Sequence, residues 1–149
     1  MKPVLQALLI AEHVYQDVSG KKVIAGTFNA IRLRKGKPPK TIQKPDGTIA
    51  TRVEGGGAGA PYAYISLTDV WDNTKLELQF VSLKRNRVLF DTEIKIKCKD
   101  RLATVEIISQ LPRLDIPEPG IYAFEVVYGG EIIGSHRIIA RAADDSDES

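Results

Sequence analysis

Apolar and polar side chains alternate with a period of two along most of the chain, the pattern of strands that bury one face. Lys75–Leu83 sets Leu76, Leu78 and Phe80 against Lys75, Glu77 and Gln79. Val88–Ile96 points Val88, Phe90, Ile94 and Ile96 inward and Arg87, Asp91, Glu93 and Lys95 outward. Tyr62–Val70 is predicted to bury Ile65 and Leu67. Leu102–Leu111 reads as a strand with Ala103, Val105 and Ile107 on one face, although the scarcity of glycine and proline in Asp100–Gln110 leaves a helix as the alternative.

Both ends of the chain carry hairpin patterns. Val4–Tyr15 is rich in apolar residues, and the turn cluster Asp17–Lys22 leads into Val23–Arg34. That second strand is expected to hold Ile24, Phe28 and Ala30 on one face and Val23, Ala25, Ile31 and Leu33 on the other. Ile121–Tyr128 and Glu131–Ala142 flank Gly129-Gly130, a two-residue loop suited to a primed turn, with Tyr122, Phe124, Val126 and Tyr128 sharing a face. The sum is about eight strands with short turns and no convincing helix. The fold class predicted is all-β, a two-sheet antiparallel β-sandwich of immunoglobulin-like or C2-like type, as a single domain over residues 1–142.

One segment breaks the alternation. From Lys35 to Pro61 the chain passes through Pro38-Pro39, Pro45-Asp46-Gly47 and the run Gly55–Gly59, so a long insertion loop is expected there. Ile42 and Ile49-Ala50 suit a small β-ribbon around the Asp46-Gly47 turn. The loop also concentrates charge. Arg32, Arg34, Lys35, Lys37, Lys40, Lys44 and Arg52 stand against the single acid Asp46, giving +6, while the other fourteen basic and eighteen acidic residues give −4. Residues 143–149 carry four acids and are expected to form a disordered tail.

Composition narrows the setting. Cys98 is the lone cysteine, which excludes an internal disulfide framework and a four-cysteine zinc site and fits a reducing, cytoplasmic compartment. The apolar run Val4–Ala11 contains Gln6 and lacks a small-residue cleavage site, so a strand is expected rather than a secretion signal. No stretch reaches the roughly 20 apolar residues needed to span a bilayer.

Two stretches resemble a known family when taken together. Ala7–Val14 followed by Val23–Ile31, with Gly26 and Phe28 in an apolar-x-Gly-x-Phe strand, resembles the opening of a bacterial family of uncharacterised β-sandwich proteins. Pro119–Val126 and Gly130–Gly134 are similar to that family's last hairpin, while Lys35–Pro61 is longer than the resemblance requires. The resemblance implies the sandwich fold and carries no activity to any residue.

Candidate chemistry is sparse. His13 and His136 would meet, with Glu12 or Asp17 in reach of zinc or iron, only if the first and last strands paired. Ser135 and His136 are neighbours on a strand, so their side chains face opposite ways and cannot form a nucleophile–base pair. Asp69, Asp72, Asp91 and Asp115 lack the dense spacing of a calcium loop. The glycine run ends in Pro61 and a strand, not in the Gly-Lys-Ser/Thr and helix of a phosphate loop. Cys98 lies between Lys97 and Lys99, but no base is placed beside it, so an ordinary strand or turn cysteine is expected.

Partner binding is the better prospect. The cations Arg32, Arg34, Lys35, Lys37, Lys40, Lys44 and Arg52 suit a polyanion or an acidic protein surface, and Tyr62 and Tyr64 could stack on bases if they face outward. Trp71, the only tryptophan, either caps the end of the core or serves as an exposed anchor for a partner. The expectation is a non-enzymatic binding or assembly module without a cofactor or metal, engaging a protein partner or itself as a homodimer. Its alternatives are nucleic-acid or polyanion binding through residues 32–52 and, third, a metal-dependent enzyme.

Overall fold

In a computed structural model of the chain, the described residues are 2–33, 40–43, 49–52 and 59–142, with the backbone alone described for 40–43 and 49–52. All regular structure among them is β. In chain order the strands are β1 (Val4–Gln16), β2 (Lys22–Thr27), β3 (Ala30–Leu33), β4 (Lys40–Gln43), β5 (Ile49–Arg52), β6 (Tyr62–Thr68), β7 (Thr74–Ser82), β8 (Arg87–Ile96), β9 (Val105–Gln110), β10 (Gly120–Tyr128) and β11 (Glu131–Ala142). Four form one sheet in the order β2-β1-β6-β9, and five form a second in the order β3-β11-β10-β7-β8. β4 and β5 pair with each other as the ribbon expected around Asp46-Gly47.

The two sheets face each other across a core that follows the alternation. Leu8, Ile10, Ala63, Ile65 and Leu67 from the four-stranded sheet meet Leu76, Leu78, Phe80, Phe124, Val126 and Ile138 from the other. Phe80 is central, its ring stacked on Tyr122 at 5.5 Å and tilted against Phe124 at 4.6 Å. Such offset aromatic contacts add to the stabilisation from burial itself. Tyr122 keeps its hydroxyl satisfied by donating to the Glu118 carbonyl at 2.6 Å, and burial pushes its pKa up. Arg85 binds the Glu118 carboxylate through Nε and a second guanidinium nitrogen, fastening the β9–β10 connection to the β7–β8 turn. That bond holds the Glu118 carboxyl below the usual carboxylate range.

The first hairpin closes on Asp17, whose carboxylate accepts the backbone N–H groups of Ser19 and Lys21, both at 2.9 Å, and the Ser19 hydroxyl at 2.7 Å. The Ser19 hydroxyl is the main reason its pKa lies below the ordinary aspartate value.

Four expectations are corrected. Val23–Arg34 is not one strand: β2 ends at Thr27, and β3 joins the opposite sheet, parallel to β11. Ala30 therefore is exposed and no longer shares a face with Ile24, while Ile31 and Leu33 enter the core. Val88 is exposed, because the β7–β8 register slips between Phe80–Phe90 and Val81–Val88 and the extra residue, Leu89, reverses the alternation. Ala103 lies in the turn before β9, where its N–H reaches the Asp100 carbonyl at 3.0 Å; the strand reading of the segment otherwise holds from Val105.

β1 and β11, in different sheets, pack closely where Leu5 crosses Gly134. A Cβ at Gly134 would stand 2.0 Å from Leu5 Cδ2, so the missing side chain sets the approach of the sheets at that point.

Replacing Phe80 by alanine is expected to lower the unfolding free energy by about 3–5 kcal/mol, through lost burial and the cavity left behind. Urea unfolding followed by circular dichroism measures this, and a loss below about 1 kcal/mol would contradict the central position of the ring.

Candidate interaction surface

Strand pairing also determines the outer face of the five-stranded sheet, since residues directly opposite each other point the same way. Ile139 lies beside Ile121, and the Leu83 N–H donates to the Ile121 carbonyl at 3.0 Å. In the next row Arg137, Ala123, Val81 and Val88 stand side by side, followed by Ser135, Glu125, Gln79 and Asp91. Val127, Glu77 and Glu93 form the row beyond.

This solvent-side face carries a continuous apolar band. Ala123 and Val81 form its floor and are nearly covered by their neighbours. Leu83, Val88, Ile121 and Ile139 rise around them with 39%, 48%, 42% and 38% of their surface exposed. Scattered surface apolar residues are ordinary, but a contiguous group on a sheet face is the kind that partners cover. Charge divides across the band. On one side stand Arg32 of β3, directly beside Arg141 of β11, and Arg137, all exposed. On the other stand Asp91, Glu77 and Glu93, also exposed, and half-buried Glu125, which accepts a 2.9 Å bond from Gln79. Lys75 and Lys95 pair in the row after Glu77 and Glu93, Lys95 Nζ lying 3.6 Å from Glu93, and the two cations offset part of that charge.

Of the predicted binding residues, Arg32 and Trp71 are far apart. Arg32 lies at the end of the five-stranded sheet where β3 and β11 finish, and Trp71 lies at the opposite end, before β7. Lys40 and Arg52 are register partners in the ribbon. Arg34, Lys35, Lys37 and Lys44 lie outside the described residues, as do the glycines at 55–57 and the tail 143–149.

Trp71 belongs to a tight β6–β7 connection in which Asp69 and Asn73 have φ of 56° and 61°. Those left-handed residues turn the chain so that Val70 is fully buried and Trp71 is left 47% exposed. Val70 rather than Trp71 therefore plugs the core end. The Trp71 carbonyl accepts the Thr74 hydroxyl at 2.5 Å, and the Arg101 guanidinium carbon lies 5.8 Å from the indole centroid, in cation–π range. Arg101 also reaches Asp69 at 3.9 Å, and its carbonyl accepts the Asp69 N–H at 3.0 Å.

The remaining candidates are dispersed. His13 pairs with Ala25 in the four-stranded sheet and is exposed. His136, across the sandwich, lies with Nε2 2.8 Å from the Phe28 carbonyl; a carbonyl only accepts, so Nε2 carries the hydrogen. Asp115 lies 4.0 Å from Arg113, Asp72 accepts the Asn73 N–H, and the Cys98 thiol donates to the Asp100 carbonyl at 3.1 Å. Among the described residues no three histidine, cysteine, aspartate or glutamate side chains gather as metal ligands. No helix among them is long and apolar enough to cross a membrane. Tyr62 and Tyr64 do face outward, opposite Ala11 and Leu9, but the Tyr64 hydroxyl is taken by Glu106.

The matched span of a family model runs from within β1 to within β11: a family of unknown function, DUF6941, matches residues 6–141. The chain belongs to this family. No curated protein matches it. DUF6941 thus carries the two-sheet fold on this chain without supplying an activity, and any role has to be argued from the surface. Most of that surface has no local signal in the sequence. Its signal is nonetheless present in β10, where Ile121, Ala123 and Val127 alternate with Tyr122, Phe124 and Val126, so that both faces are apolar except at Glu125.

Since Trp71 is the only tryptophan, its fluorescence reports on this end of the fold. Arg101→Ala is expected to remove the cover over the indole and raise its collisional quenching by acrylamide. Unchanged quenching would mean that the guanidinium does not shield the ring.

Proposed function

We propose that this DUF6941 member is a non-enzymatic β-sandwich module for protein–protein association, including association with itself, in a bacterial cytoplasm. The observation that carries the reading is the apolar band of Leu83, Val88, Ile121 and Ile139 on the outer face of the five-stranded sheet. Leaving such a band in water forgoes roughly 25 cal/mol for each Å² that a partner would cover. The two histidines do not meet: His13 pairs with Ala25 in the four-stranded sheet, and His136 donates to the Phe28 carbonyl across the sandwich.

Edge pairing is the less favourable route. β8, an edge strand, carries Arg87, Asp91, Glu93 and Lys95, the type of charged edge that resists strand addition. The last hairpin is enclosed along part of its length, since β11 lies between β10 and β3. The face, not the edge, is the surface to test. Light scattering across a concentration series is expected to show a mass above that of one chain. A strict monomer, with no protein partner displaced by substitutions in the band, would end this reading.

A second reading, polyanion binding through residues 32–52, gains from one observation: Arg32 stands beside Arg141, extending the cationic segment onto the sheet. Filter binding of a nucleic acid at two salt concentrations tests it. Affinity is expected to fall steeply with salt and to weaken in Arg32→Glu. Salt-independent retention, or none at low salt, removes it.

A further inference from the structure

The outer face of the five-stranded sheet is asymmetric in charge about its apolar band, and that asymmetry selects a partner. Arg32, Arg141 and Arg137 occupy one corner, on β3 and β11. Asp91, Glu125, Glu77 and Glu93 lie diagonally opposite, on β10, β7 and β8, with the exposed pair Lys75 and Lys95 closing that end of the face in the row beyond. Leu83, Val88, Ile121 and Ile139, with Ala123 and Val81 below them, lie between the two.

We propose that the partner on this face is a second copy of the chain, packed sheet against sheet about a two-fold axis that crosses the apolar band diagonally near Ala123. The inference rests on the association reading above and adds the partner and the surface. A two-fold axis lying in an interface exchanges the two sides of whatever surface it crosses, so a patch that is basic on one side and acidic on the other becomes complementary to itself. An axis across the band brings Arg137 over Glu125 of the second copy, and Arg32 and Arg141 over its Asp91 and Glu93. The same operation brings Leu83 towards Val88 of the second copy, across the floor of Ala123 and Val81, with each contact made twice.

A uniformly basic or uniformly acidic partner suits the face less well, because it would meet like charge at one corner. An uncharged partner would cover the band and leave the charged corners without partners in the interface. Only a surface of the opposite pattern satisfies both corners, and the chain itself supplies one. Packing distance is also compatible: two sheets stack face to face at about 10 Å, enough for side chains of leucine, isoleucine and arginine length to interdigitate.

Sedimentation equilibrium of the full chain, at low and high salt, tests this. Arg141→Glu and Asp91→Arg are each expected to weaken dimerisation roughly tenfold, since each places two like-charge contacts in a symmetric interface. The double variant, which exchanges the charges, is expected to recover the wild-type dissociation constant to within about threefold. Val88→Glu is expected to abolish the dimer at any salt, whereas the charge effects shrink as salt rises. Thermal unfolding of each variant separates loss of association from loss of fold, and the recovered double variant guards against both single changes acting through misfolding. A wild-type dimer unmoved by all of these substitutions would overturn this surface while leaving self-association intact. Single variants that weaken the dimer without rescue in the double would overturn the charge-paired geometry. A wild type that stays monomeric at roughly 100 μM would overturn the inference and the self-association reading together.

Discussion

The change of sheet at Phe28–Asn29 is the constraint on which the rest of the arrangement depends. Up to Thr27 the backbone pairs with β1; the Phe28 N–H still donates to the Ile10 carbonyl at 3.3 Å. One residue later the Asn29 carbonyl accepts the Ile139 N–H at 2.9 Å, and β3 runs on along β11. His136 holds the Phe28 carbonyl in the interval, so a backbone group that leaves one ladder without entering the other keeps a partner. Gly26 prepares the departure with φ of 75°, where a side chain would also press on Glu12 at 3.2 Å. Because a single short segment bonds to both sheets, the positions of β1 and β11 are tied together, and with them the crossing of Leu5 over Gly134.

That tie has a consequence for the surface. β3 extends the five-stranded sheet beyond β11 and sets Arg32 next to Arg141, forming the basic corner from residues more than a hundred positions apart. The bulge at Leu89 acts at the other margin. It turns Val88 from the core to the outer face, beside Val81, and so widens the apolar band. Two local irregularities, a strand that changes sheets and a one-residue slip, thus shape the face that the chain offers to a partner. Bulges and edges are where sheets depart from regularity without cost to the core, and here both departures lie on the same face.

Much of the fold was legible beforehand. The strict alternation of Leu76, Leu78 and Phe80 marked β7, and Gly129-Gly130 marked the β10–β11 turn, because period-two burial and turn geometry are local properties of the backbone. The β4–β5 ribbon was visible for the same reason. Val88 reads as inward in the sequence because a bulge changes the alternation without leaving a residue type behind. Val23–Arg34 reads as one strand in the sequence because apolar residues resume directly after Asn29, and the break is a matter of which neighbour offers hydrogen bonds. The apolar band could be suspected in β10 alone. Its other members sit on β7, β8, β11 and the β7–β8 turn, and no periodicity links them.

What the sequence by itself determined is therefore the all-β class, most strand positions, the hairpin turns and the concentration of positive charge between Arg32 and Arg52. These follow from short-range chemistry, which each segment carries with it. Tertiary structure alone decided strand order, the parallel pairing of β3 with β11, the separation of Trp71 from Arg32, and the grouping of Leu83, Val88, Ile121 and Ile139. Those features depend on which distant strands share hydrogen bonds, and that choice is made by the packing of the whole core rather than by any one stretch of chain.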